Sequence, residues 1–186
     1  MTKGFFKLPD IKNEPVKTYA PASPERTAIK QKLEELNKGG LDIPMIIGGK
    51  EVRTGNRLEI RPPHDHKHSL GHYHQGNKQH VQMAIDAALE AKPAWEAMSW
   101  ESRAAIFLKA AELIAGPYRY EFNAATMLGQ SKNVYQAEID CVCELVDFYR
   151  FNVRNMCELY AMQPNSAAGI WNRMEWRPLE GFIFAL

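Results

Sequence analysis

Five apolar residues in succession, Phe182 to Leu186, follow Gly181 in the stretch RPLEGFIFAL. The run does not alternate polar and apolar side chains, so it does not suit a strand with one wet face. A short unbroken apolar run after glycine has the pattern of a strand buried on both faces, as in a parallel sheet covered by helices. The fold class that follows is α/β. No other segment has this pattern, so the run reads as the first strand of a sheet whose further strands lie downstream.

Composition narrows the function classes. A net charge of +1 gives no electrostatic footprint for nucleic acid or an anionic membrane. No run of about 18 apolar residues predicts a membrane span. The opening MTKGFFKLPDIKNEP has no long apolar segment, which argues against secretion. It also lacks Arg and carries Asp10 and Glu14, a poor fit to a transit peptide. Cys141, Cys143 and Cys157 are odd in number and clustered, which suits a reducing compartment better than a disulfide framework.

Along the chain, Pro9, Pro15 and Pro21 predict an extended arm over 1–22. Ser23 then caps a helix with Pro24 at its first position and Ile29, Leu33 and Leu36 on one face, stopped by Gly39-Gly40. Short strands follow: two around a Gly48-Gly49 turn, a third at RLEI and a fourth near HSLGHYHQG, together a small antiparallel meander. From Asn77 the pattern is helical. Pro93 is expected to break the first of these helices, and Ser99 to cap the next. A third helix ends at Gly129. Ser131 opens the longest, roughly Asn133 to Tyr160, apolar on most of its circumference and so expected to be buried. Ile170 to Pro178 alternates, like a two-sided strand on an edge or in an oligomer contact.

Three constellations invite a chemical reading. His64, His66 and His68 would share one side of an extended stretch. No Cys or Glu nearby completes a zinc set, so a polar turn is the plainer account and no metal residue is assigned. Cys141 and Cys143 sit mid-helix beside Asp140 and Glu144, whose charges oppose thiolate formation, so neither reads as a nucleophile. Asp140, Glu144 and Asp147 fall at i, i+4 and i+7, with Phe148 one turn beyond Glu144. They form either a solvated face, with Arg150 paired to Asp147, or a face with one carboxylate turned into a ligand tunnel.

Several segments together carry a resemblance: SPER at 23–26, PPHDHKH at 62–68, FLKAAELIAGP at 107–117, GQSKNVYQAEIDCVCELVDFYRFN at 129–152 and the closing RPLEGFIFAL. They resemble the N-terminal third of the 1-pyrroline-5-carboxylate (L-glutamate γ-semialdehyde) dehydrogenases, a branch of the aldehyde dehydrogenase superfamily. The resemblance runs from about Asn13 to Leu186, and the block at 129–152 is its most specific part. It implies the N-terminal portion of that fold: an arm over 1–22, a helix, hairpins and helical layer of the cofactor domain over 23–168, a flap strand over 169–178, and the first strand of a Rossmann-like sheet over 179–186.

It also implies an NAD-dependent enzyme that oxidises the semialdehyde to L-glutamate in proline degradation. In that chemistry a Cys thiolate attacks the aldehyde, hydride passes to the nicotinamide, and a Glu-activated water releases the acid beside an Asn-based oxyanion site. The family's Cys, Glu, Asn and Gly-rich cofactor loop belong beyond Leu186. No catalytic or cofactor-binding residue is therefore assigned here, and this stretch alone should be inactive and should not hold NAD. Glu144 matches the family's tunnel-side Glu, with Phe148 on the same wall; both are assigned to substrate binding. A small aldehyde as substrate, a homo-oligomer, and the cytoplasm (or the mitochondrial matrix in a eukaryote) complete the expectation. Still open are a non-catalytic helical interaction module of the same descent, another aldehyde dehydrogenase subfamily, and a metal protein using His64, His66 and His68.

Overall fold

The computed structural model describes residues 10–186; the part of the arm over 1–9 lies outside them. Helix α1 (Pro24–Asn37) begins as its residues dictate, with the Ser23 side chain accepting from the Arg26 amide at 3.2 Å. Gly39 and Gly40 then reverse the chain at positive φ.

Five strands follow: β1 (Leu41–Ile43), β2 (Met45–Ile47), β3 (Lys50–Val52), β4 (Arg57–Ile60) and β5 (Gly71–His74). Their pairing corrects the expected antiparallel meander. Strands β2 and β3 form a separate hairpin around Gly48-Gly49, both at positive φ as a tight turn requires. The other three form a mixed sheet in the order β1-β5-β4. Strand β5 lies at its centre, antiparallel to β4 and parallel to β1. The difference arises at Pro44, which separates β1 from β2 and lets each take a different partner. At Gly71 (φ +139°) a Cβ would fall inside the Leu41 backbone, so the parallel contact of β1 with β5 depends on glycine there.

The helical layer comprises α2 (Lys78–Ala97), α3 (Trp100–Ala115), α4 (Arg119–Gln130), α5 (Val134–Ala137), a π-helical segment (Glu138–Cys143) and α6 (Glu144–Ala161). Asn77, Ser99 and Asn133 cap their helices through side-chain oxygens. Pro93 does not end α2, which runs on to Ala97: a proline removes one i→i−4 bond, and one turn beyond it is still held. The expected long helix is likewise three pieces, because the backbone widens to i→i+5 bonding after Ala137.

Two apolar clusters hold this layer together. Ala111 and Ile114 of α3 meet Val142 and Val146 across the junction of the π segment with α6. Tyr19 of the arm meets Ile29 of α1 and Ala124 of α4. The arm is thus part of the core. Helix α6 is less buried than expected: only Val146 and Val153 are fully covered.

No strand forms between Met162 and Leu186. The flap strand over 169–178 and the sheet strand over 179–186 are therefore absent as strands. A β-ladder needs a partner for its N–H and C=O groups, and the described residues supply no strand beside either segment. One substitute is present. The Gln163 side chain accepts from the Met174 amide at 2.8 Å and donates to the Met174 carbonyl at 3.3 Å, as a neighbouring strand would.

Candidate active-site groove

A groove of about 430 Å³ opens between the arm and the C-terminal helices. One wall is Asn13, Glu14 and Val16. The other is Ile139 and Cys143 of the π segment with Glu144, Asp147, Phe148 and Phe151 of α6. Both residues assigned to substrate binding from the sequence, Glu144 and Phe148, therefore face one cavity. The Phe148 ring is 55% exposed, a large apolar surface left to solvent at the groove. Glu144 is exposed and makes no hydrogen bond or ion pair among the described residues.

The acidic face divides. Asp140 leaves it to pair with Lys132 at 3.0 Å. Asp147 does not pair with Arg150. It accepts from the Asn13 side-chain amide at 2.6 Å and the Glu14 backbone N–H at 2.7 Å, while Arg150 binds Glu14 at 2.7 Å. Only Glu144 is left available to a ligand. The groove thus offers one free carboxylate and two aromatic rings, a surface for a small molecule carrying both donor groups and an apolar stem.

Behind the arm lies a buried polar network that sequence reasoning missed. Glu138 (0% exposed) and Arg119 (1%) form an ion pair in the interior. Glu138 also accepts from the Tyr19 hydroxyl at 2.6 Å, the Asn123 side chain at 2.7 Å and the Lys17 backbone N–H at 2.9 Å. Arg119 donates onward to Glu14 at 2.6 Å and to the Pro15 carbonyl at 2.9 Å. Burial alone would raise the Glu138 pKa, but Arg119, Tyr19, Lys17 and Asn123 together hold it below the usual carboxylate value. Glu14 is treated the same way: burial raises it, and Arg119 and Arg150 bring it lower than normal. Charge and spacing alone do not separate Glu138 from its acidic neighbours. The one available signal was a polar residue in a helix otherwise read as buried.

Cys143 lines the groove yet is a poor nucleophile. Burial, then the Glu138 charge, push its thiol up to about 11. The histidines do not converge. His64 bonds the Ser131 hydroxyl at 2.8 Å, and no group of three or more His, Cys, Asp or Glu among the described residues is placed to hold a metal ion. His74, not singled out from the sequence, is buried between Asp42 (3.0 Å) and Thr54 and ties β5 to β1 and to the loop after β3. A second groove of about 440 Å³ runs between α3 and α6. Its one cationic side chain, Arg103, already binds the Met98 carbonyl at 2.7 Å.

The groove does not suit a dinucleotide. Its charged lining is Glu14, Glu144 and Asp147, all of the wrong sign for a pyrophosphate.

Comparison with known proteins agrees with this architecture. Residues 51–186 match the model of the aldehyde dehydrogenase family. The chain is 52% identical over 183 residues to the delta-1-pyrroline-5-carboxylate dehydrogenase of Agaricus bisporus, covering 97% of this chain and 34% of that protein. It is 45% identical over 187 residues to the mitochondrial delta-1-pyrroline-5-carboxylate dehydrogenase of Emericella nidulans, covering 100% of this chain and 32% of that one. Among solved structures, the delta-pyrroline-5-carboxylate dehydrogenase of Mycobacterium tuberculosis bound with NAD and cobalamin superposes with a TM-score of 0.94 at 46% identity, covering 98% of this chain and 34% of that chain. The chain spans about a third of the length of the curated relatives it matches. It builds the N-terminal portion of their fold, and it belongs to the aldehyde dehydrogenase family.

Proposed function

We propose that these residues are the N-terminal part of an NAD-dependent dehydrogenase that oxidises L-glutamate γ-semialdehyde, the open form of 1-pyrroline-5-carboxylate, to L-glutamate in proline degradation. The observation that carries this is the 52% identity, over 97% of the chain, to a protein named for that reaction. Homologues solved with NAD support the cofactor. When bound in the whole enzyme, NAD supplies the hydride acceptor. The acidic groove does not fit it, and we place its site in other parts of the enzyme.

The part played by these residues is to shape one side of the substrate passage. Glu144 offers an acceptor to the donor groups of the incoming aldehyde, and Phe148 gives its stem an apolar wall. We place the attacking thiolate elsewhere in the enzyme: the thiol that lines the groove, Cys143, is pushed up by burial and by the Glu138 charge. The 186-residue chain alone is therefore inactive. The whole enzyme works as a homo-oligomer, with residues 169–178 in the contact between subunits. It resides in the cytoplasm, or in the mitochondrial matrix of a eukaryote, as the names of eukaryotic relatives suggest.

The test is NADH formation from NAD⁺ and the semialdehyde by the whole enzyme, with the 186-residue chain alongside. Activity of the whole enzyme, with none from the chain alone, is expected. A whole enzyme that prefers simple aliphatic aldehydes would move it to another subfamily, and turnover by the chain alone would refute the division of labour.

A further inference from the structure

We propose that Glu138 and Arg119 are positioning residues for the groove: they latch arm residues 13–19 in place as its second wall. The proposal requires the groove to be a binding site, as the preceding section reads it, but not that its ligand be this aldehyde.

Arm polar groups from Asn13 to Tyr19 find partners on α4, the π segment or α6. The Glu14 amide binds Asp147, the Glu14 carboxylate binds Arg119 and Arg150, the Pro15 carbonyl binds Arg119, and the Lys17 amide and Tyr19 hydroxyl bind Glu138. Asn13, Glu14 and Val16 are also the arm residues that line the groove. The wall is thus anchored from behind by the two most deeply buried charges described.

The backbone carries a second, independent mark. Tyr19 sits at φ +52°, a left-handed conformation that is strained for a bulky residue and persists only where its surroundings over-determine it. Here they do. The Tyr19 hydroxyl donates to Glu138 and accepts from Asn123 at 2.9 Å, and its ring meets the edge of Tyr120 at 6.4 Å. The strain turns the chain from the groove wall back toward α1. Loss of the Glu138 anchor removes what holds that turn, and the wall with it.

Hydrogen exchange of the 186-residue chain tests this. The Glu14 and Lys17 amides donate to carboxylates, and each such bond limits exchange. In Glu138→Gln, and in the milder Tyr19→Phe, which keeps the ring, exchange over 13–19 should rise by about tenfold or more while α3 is unchanged. The NMR signals of the Phe148 and Phe151 rings should shift as their facing wall loosens. Unchanged arm exchange in both variants overturns the latch. So does an equal rise throughout the molecule, which would mean general destabilisation. So do unmoved ring signals beside a loosened arm. L-Glutamate, added as probe to the wild type, reports separately on the proposed function: failure to bind counts against that reading while the exchange data still decide the latch.

Discussion

Tyr19 of the arm and Glu138 of the π-helical segment are joined by a 2.6 Å hydrogen bond across 119 positions of sequence. The bond ends in a carboxylate that already receives an arginine, an asparagine and a backbone amide. Saturation of this kind makes a buried charge tolerable, and it makes every partner costly to remove.

Glu138→Ala leaves the Arg119 guanidinium buried beside an empty space. The expected loss of stability is about 3–5 kcal/mol, against about 1.5–3 kcal/mol for Tyr19→Phe, which removes one donor to a charged acceptor. Urea denaturation of the two variants measures both. Equal losses would mean that the ion pair adds nothing beyond the hydroxyl.

Acid should release the arm, but only at low pH. Glu14 and Glu138 are both held below their ordinary value of 4.5 in the folded chain. A carboxylate with a depressed folded pKa contributes stability above its unfolded pKa and loses it as pH falls through the folded one. Opening of 13–19, read as exchange relative to each amide's intrinsic rate at that pH, should therefore be flat from neutrality down to pH of about 5 and rise only under about pH 4. A rise between pH 5 and 7 would place the controlling group elsewhere.

Cys143 should resist alkylation. With its thiol pushed up to about 11, roughly one molecule in a thousand carries the thiolate at pH 8. Iodoacetamide followed by peptide mass analysis should find Cys143 nearly unmodified while the chain is folded, and modified once urea is added. Rapid labelling of the folded chain would contradict the buried, anionic surroundings described for it.

Gly71→Ala tests the mixed sheet. The new methyl would meet the Leu41 backbone, at a φ that L residues rarely adopt, so the loss should exceed about 1–3 kcal/mol. Thermal unfolding reads it. Gly49→Ala, with nothing within 4 Å of the added Cβ, carries only the backbone strain and should cost less.

Glu144→Gln and Phe148→Ala should separate stability from function. Both side chains are exposed, so unfolding should shift by no more than about 0.5 kcal/mol. In the whole enzyme, Glu144→Gln should raise KM for the semialdehyde about tenfold relative to an unsubstituted aliphatic aldehyde, whereas Phe148→Ala, which removes an apolar wall, should raise KM for both. Equal effects of Glu144→Gln on both aldehydes would remove that residue from substrate selection.

What the sequence made legible was chiefly local. Ser23, Asn77 and Ser99 cap helices because a short polar side chain reaches amides two or three residues on, a range that sequence alone spans. The turn at Gly48-Gly49 is of the same kind. The parallel pairing of β1 with β5 was not legible, because it joins segments thirty residues apart through backbone groups common to all residues. Glu138 and Glu144 are six positions apart and chemically identical, yet one is the most buried charge and the other is free. What divides them is Arg119 and the arm, both distant in sequence. Arg150 shows the same limit: its nearest acidic neighbour, Asp147, loses it to Glu14, 136 positions away.

The arm's bonds have a kinetic corollary. Each closes a chain loop of more than a hundred residues, as between Glu14 and Asp147 or Lys17 and Glu138. Contacts of such span form late, since the chain entropy they cost must first be offset by local structure. Helix α4, the α5 and π segments that pack on it, and α6 beyond them can assemble early. The arm docks onto that finished surface, so the groove is among the last parts of the molecule to take shape during folding.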